Sequence, residues 1–202
     1  MSGAAPLDVS RETSDKLTAF AALLEKWNAK INLISRSSVA EVWDRHILDS
    51  AQLFALAPGP GHWVDLGSGG GFPGIVVAIL SQGAGTPHSM TMVESDQRKA
   101  AFLRTAVREL GLTAKVISDR IEKVPPLGAD ILSARALADL GTLLTFAERH
   151  LRPGGVALFP KGENWRKEHE TAQSLWSYTC EPITSRTNSA AAVLKIKDIA
   201  RV

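Results

Sequence analysis

The stretch with the most chemical content is 64–74, Val-Asp-Leu-Gly-Ser-Gly-Gly-Gly-Phe-Pro-Gly, where an apolar run gives way to a helical pattern. Glycines there let the backbone take positive φ and let a ligand approach with no Cβ in its way. Two nucleotide patterns fit. Residues 69–74 match G-x-G-x-x-G, the fingerprint that seats a dinucleotide pyrophosphate on a helix N-terminus. Pro73 removes one of the N–H donors such a site needs, and Asp65 puts a carboxylate at the strand end; both disfavour a pyrophosphate. Asp65, Gly67, Gly69 and Gly71 fit D-x-G-x-G-x-G instead, which suits a nucleoside carrying an ammonium and a sulfonium but no phosphate. S-adenosylmethionine answers that description. Glu94 ends the next predicted strand, where its carboxylate can accept from both ribose hydroxyls, a role that supports a nucleoside without choosing between the two. A merely flexible loop is disfavoured by the order strand, glycines, helix.

These residues need elements to carry them, and the apolar spacing supplies a plan. Leu17, Phe20, Ala21, Leu24 and Trp27 share one helical face, and that helix stops at Asn28. A second helix is expected to open on Ser38-Val39-Ala40-Glu41 as a capping box, to run through Trp43, Ile47, Ala51 and Phe54, and to end at Pro58-Gly59-Pro60-Gly61. Short apolar runs then alternate with helical segments, as in a parallel sheet with crossover helices. Strands are predicted over 63–66, 90–94, 114–118, 130–133 and 156–159, and helices from near Pro73, Ser95 and Ala136. The last of these ends before a turn at Arg152-Pro153-Gly154-Gly155. Beyond Tyr178 the pattern is less regular, with a final strand expected over 191–196. The reading is an α/β chain with a mostly parallel, Rossmann-like sheet over 61–202 and an N-terminal helical extension over 1–60.

Composition narrows the class. At 202 residues, with 45% hydrophobic and 22% charged, the chain has the makings of one ordinary globular core. Cys180 is the only cysteine, which excludes an internal disulfide framework and fits a reducing, cytoplasmic setting. No run approaches the roughly 18 apolar residues of a membrane helix, and the first six residues lack the features of a secretory leader. The five histidines show no metal-ligand spacing, so no metal site is expected. A net charge of +2 means that binding to an anionic polymer must come from local clustering.

Taken together, Trp27-Asn28 with Asn32-Leu33, Arg45-His46-Ile47-Leu48-Asp49-Ser50, the 65–74 loop, Arg120-Ile121-Glu122, Ser133-Ala134-Arg135-Ala136 and Lys161-Gly162 resemble the bacterial small-subunit (16S) ribosomal RNA guanine-N7 methyltransferases. This is the glucose-inhibited division protein B family, among the class I S-adenosylmethionine-dependent methyltransferases. The resemblance covers most of 17–162. It implies that Gly67, Phe72, Ile121, Glu122 and Arg135 line the cofactor site, beside Asp65 and Gly69 read from the loop pattern and Glu94 read from the end of the second predicted strand. It also implies a substrate of small-subunit ribosomal RNA or its assembling particle. A monomer with no membrane association is expected.

Methyl transfer from a sulfonium is an in-line displacement, so positioning is the main task. Guanine N7 has a free lone pair and no proton to lose, so no general base is needed. The Asn/Asp-Pro-Pro-aromatic motif of exocyclic-amine enzymes is replaced here by Ser133-Ala134-Arg135-Ala136, and Cys180 lies far from where a cytosine-C5 nucleophile belongs. Arg135 is the expected catalytic side chain, holding guanine O6, a phosphate or the cofactor carboxylate. Most of the central cations, such as Arg98, Arg104 and Arg108, read as a solvated helix face. Arg120 and Lys161 follow predicted strands and are expected to bind RNA. His46 and Asp49, three apart on one helix, fit a packed helix or a substrate mouth equally well. A small-molecule methyltransferase and a catalytically idle RNA-binding scaffold remain the alternatives.

Overall fold

A computed structural model describes residues 7–57, 59–85 and 87–202 of the chain. The first six residues, read above for a leader, and Pro58 of the helix-ending turn lie outside the described residues.

Helix α1 (Arg11–Asn28) begins where Ser10 accepts a hydrogen bond from the Thr13 amide, and it buries Leu17, Phe20 and Leu24 on one face. It ends for a specific reason. The Asn28 side-chain oxygen accepts from the amides of Leu33 (2.8 Å) and Ile34 (3.0 Å), folding the chain back under the helix end. The expected capping box at Ser38 does not form, because the Ser38 hydroxyl bonds back to the Ser35 carbonyl inside a 3-10 turn, Arg36–Glu41. A π-helical turn (Val42–Leu48) follows, and only then α2 (Asp49–Ala55). The wider π turn shifts the buried face to Val42, Ile47 and Leu53 and leaves Trp43 39% exposed, where continuous α-periodicity had placed it inward.

The sheet has the order β3-β2-β1-β4-β5-β7-β6. Its parallel part comprises β1 (His62–Leu66), β2 (Ser89–Val93), β3 (Ala114–Ile117), β4 (Ala129–Ala134) and β5 (Leu151–Lys161). β6 (Trp176–Thr184) and β7 (Ala192–Arg201) add antiparallel. The expected turn at 152–155 lies inside β5, as an irregularity where Ala129 pairs with Leu151 but Ile131 already pairs with Val156. Helices α3 (Gly74–Gly83), α4 (Gln97–Glu109), α5 (Leu140–His150) and α6 (Trp165–Ala172) make the crossovers. Asp96 and Asp139 cap α4 and α5, so α5 starts four residues later than expected and 136–139 remain a loop.

Alternate strand residues feed two cores, one on each face. Trp63, Met92 and Ile131 join α1 to α4 in one, with Leu17, Phe20 and Leu24 packed among Ile75, Ile79 and Phe102. Val64, Leu132 and Phe159 join α5 in the other. The N-terminal helices therefore complete the main core. None of the described helices is long and apolar enough to cross a membrane.

Candidate active site

The sheet reverses direction of growth between β1 and β4, the position at which open α/β sheets hold ligands. Leu66 is in register with Val93 on one side and with Ala134 on the other, so Gly67, Glu94 and Arg135 are the next residues out of three adjacent strands. The Gly67 and Ser68 amides both donate to the Val93 carbonyl (2.8 and 3.2 Å), which folds the loop across the end of β2. Gly67, Gly69 and Gly71 all have positive φ.

Asp65, expected at the ligand, is instead fully buried beneath the loop. Its Oδ1 accepts from the Ser133 hydroxyl (2.7 Å) and its Oδ2 from the Gly74 amide (3.1 Å) at the start of α3. Ser133 in turn accepts from the Trp63 indole N–H (2.9 Å). Burial pushes the Asp65 carboxyl up to about 6 against the pull of these hydrogen bonds. An internal carboxylate thus holds the helix N-terminus that a pyrophosphate would require, so the arrangement fits a phosphate-free nucleoside.

Glu94 ties the loop to its neighbour. Its Oε2 accepts from the Gly69 amide and its Oε1 from the Asp96 amide, each at 2.8 Å. A carboxylate has about four acceptor positions, so two stay available for a diol. A Cβ built on Gly69 would meet nothing nearer than 3.7 Å, which leaves open space above the loop. Gly67 differs, since a Cβ there would lie 2.7 Å from Leu137 Cδ1. Ile121 and Glu122 follow β3 in a short 3-10 turn (Ile121–Lys123), with Ile121 buried and Glu122 and Arg120 exposed.

Arg135 and the N-terminal element form a second cluster. Arg135 Nη1 donates to His46 Nδ1 (2.9 Å) and the Arg45 carbonyl (3.3 Å), and lies 3.7 Å from Asp49 Oδ2. Because an arginine can only donate, His46 Nδ1 must accept and the neutral ring carries its proton on Nε2. Burial, then the charges of Arg135 and Arg45, hold His46 down to about 4. The Phe72 ring supports both, at 4.9 Å from the His46 ring and 5.1 Å from the guanidinium. Phe20 of α1 also packs on Phe72, with ring centroids 5.3 Å apart. Burial also draws the Arg135 pKa below its usual value, offset by Asp49 and Asp65.

Beside this cluster opens a polar cleft of about 1060 Å³, walled by the N-terminal element, Arg135, Lys161 and the segment joining β6 to β7. Lys161 is not a free cation. Its ammonium is 2.6 Å from Glu168 and donates to the Ala138 carbonyl, with the side chain 9% exposed, so a direct grip on an RNA phosphate, expected from its place after β5, is replaced by a bracing role between β5 and α6. Arg120 lies at the far end of the sheet edge, after β3, and does not line this cleft. Gln52, Glu168 and residues 185–189 do line it, and sequence reasoning missed them. For Gln52 a signal existed in its i,i+3 relation to Asp49; the others needed the fold.

The family described as rRNA small subunit methyltransferase G matches residues 13–192. The protein named ribosomal RNA small subunit methyltransferase G in Ruegeria sp. (strain TM1040) is 55% identical over 97% of this chain and 96% of its own. Its namesake in Cereibacter sphaeroides (strain ATCC 17023) is 54% identical over 98% and 97%. In fold alone, the chain is similar to a crystal structure of an S-adenosylmethionine-dependent methyltransferase from Aquifex aeolicus, with a TM-score of 0.60 at 13% identity, covering 87% of this chain and 97% of that one.

Proposed function

Because this chain belongs to the rRNA small subunit methyltransferase G family, we propose that it transfers a methyl group from S-adenosylmethionine to small-subunit ribosomal RNA, with N7 of a guanine as acceptor. The carrying observation is the pairing of a nucleoside-compatible loop, its helix N-terminus held by Asp65, with an adjoining open cleft. The cofactor supplies an electrophilic methyl on a sulfonium. Glu94 and the 67–71 loop bind its nucleoside, with Ile121 and Glu122 at the adjacent strand end.

Arg135 faces the acceptor side. Its fixed planar guanidinium orients the base through O6 or holds a phosphate, and this leaves N7 free to attack. N7 loses no proton when it attacks, so the reaction asks no base of this chain. Neutral His46 fits that reading, since its role is to receive an Arg135 N–H and fix the guanidinium plane.

Small-subunit particles from cells lacking the protein, incubated with it and S-adenosylmethionine, should gain 7-methylguanosine by nucleoside mass spectrometry. Methyl transfer only to small acceptors, or none at all with cofactor bound, would replace this reading with a small-molecule enzyme or an idle scaffold.

A further inference from the structure

The segment 185–191 joins β6 to β7 and is held from far away in sequence. Gln52, 7% exposed, donates from Nε2 to the Ser185 hydroxyl (3.3 Å) and accepts at Oε1 from the Arg186 amide (3.2 Å). Asp49 Oδ1 accepts from Gln52 Nε2 (2.7 Å) and from the Thr187 hydroxyl (3.1 Å), while its Oδ2 faces Arg135. The turn is also braced internally, through Ser185 to Ala191 and Ala191 to Asn188 backbone bonds. A connection between antiparallel strands needs no buried side-chain anchor merely to turn round. Here one carboxylate fixes both Arg135 and the turn, so the two are placed relative to each other.

Charge on the cleft wall is unevenly satisfied. Arg45 pairs with Glu41, Arg135 with Asp49, and Lys161 with Glu168. Arg186 also lines the cleft, is exposed, and makes no ion pair among the described residues. Asp44, from the N-terminal element, is the wall's carboxylate without a paired cation among those residues. A fixed backbone carrying an unpaired guanidinium suits a ligand with forked anionic oxygens.

We infer that the 185–191 turn is an RNA-contacting wall of the cleft, in which Arg186 takes a backbone phosphate of the strand bearing the target nucleotide and Gln52 and Asp49 are its positioning residues. This rests on the function proposed above. Phosphate contacts set register and orientation, not sequence, so the turn would place the strand while the Arg135 side meets the base.

The test measures binding of small-subunit RNA, and steady-state methyl transfer to it, by wild type, Arg186→Ala, Arg186→Lys and the Arg186→Ala/Gln52→Ala pair across roughly 50–200 mM salt, with calorimetry of S-adenosylmethionine alongside. Arg186→Ala should weaken RNA binding about tenfold, with the loss in KM for RNA rather than in kcat, and flatten the log–log salt slope by about 0.7, the contribution of one phosphate on a single strand. Arg186→Lys should recover most of the affinity. Adding Gln52→Ala to Arg186→Ala should cost little more, because Gln52 acts through the turn. Wild-type affinity and slope in Arg186→Ala, or an equal loss of cofactor affinity, would overturn this inference alone. A wild type that binds cofactor but has no affinity for the RNA would overturn the proposed function with it.

Discussion

At the scale of single residues, Arg135 and Asp65 show how burial turns a charged side chain into a fixed part. Arg135→Lys keeps a cation but loses the planar fork that meets His46 and the Arg45 carbonyl. Single-turnover transfer at saturating RNA and cofactor should fall on the order of 100-fold with the fold intact, since errors near 1 Å cost that much in positioning. Asp65 yields a pH test. Its folded pKa, about 6, lies above the ordinary 3.8, so between those values the folded state binds more protons than the unfolded chain. The stability this group confers is complete below about 4 and is lost as pH rises through 6. Relative to Asp65→Asn, the wild type should therefore lose up to roughly 3 kcal/mol between pH 4 and 7, at 1.36 kcal/mol per pKa unit, by urea unfolding at each pH. His46 acts in the opposite sense and is present in both proteins, so the difference isolates Asp65.

Among the elements, the glycine loop is where two positions of one motif separate. Gly69 has φ of 49° and open space where a Cβ would be, so Gly69→Ala brings only left-handed strain of about 1 kcal/mol and a methyl aimed where a nucleoside would lie. Calorimetry should show S-adenosylmethionine affinity down at least about tenfold, with a small fall in Tm. Gly67→Val puts a β-branched side chain at a φ of 65°, where such residues are rare outliers, with its Cβ 2.7 Å from the Leu137 side chain, which must move aside. Its main effect should be a large loss of Tm. Equal melting of the two variants would contradict this division. The loop also depends on α1 and the turn after it, since Phe20 packs on Phe72 and a Cβ at Gly70 would lie 3.2 Å from the Leu33 carbonyl.

For the whole molecule, the N-terminal helices behave as a wall of the main core. Leu17, Phe20 and Leu24 are fully buried against α3 and α4, while the element after them carries His46, Asp49 and Gln52 to the cleft. We propose that residues 61–202 do not fold alone. A chain starting at residue 61 should lack a cooperative thermal transition, because the apolar surface that Leu17, Phe20 and Leu24 cover, around Ile75, Ile79 and Phe102, would face water. A sharp melt in that truncated chain would make 1–60 an appended module instead.

Legibility followed the range of the interactions involved. Five parallel strands, the glycine loop, the nucleoside class of ligand and the place of Arg135 at the end of β4 were readable because each depends on local period, local backbone freedom or spacing along one segment. The capping box at Ser38 failed because a neighbouring serine carbonyl competed for the hydroxyl, and the inward Trp43 failed because a π turn changed the period. β6 and α6 escaped notice because a half-exposed edge strand and a short polar helix carry little apolar signal. Only the tertiary structure could decide which charges are free. Lys161 and Arg186 look alike as letters, yet Glu168 buries one in an ion pair and Gln52 holds the other's backbone out at the cleft. A hydrogen bond such as Gln52 to the Arg186 amide, 134 residues apart, has no trace in a local pattern, because it is created when the sheet brings the strand ends to one edge.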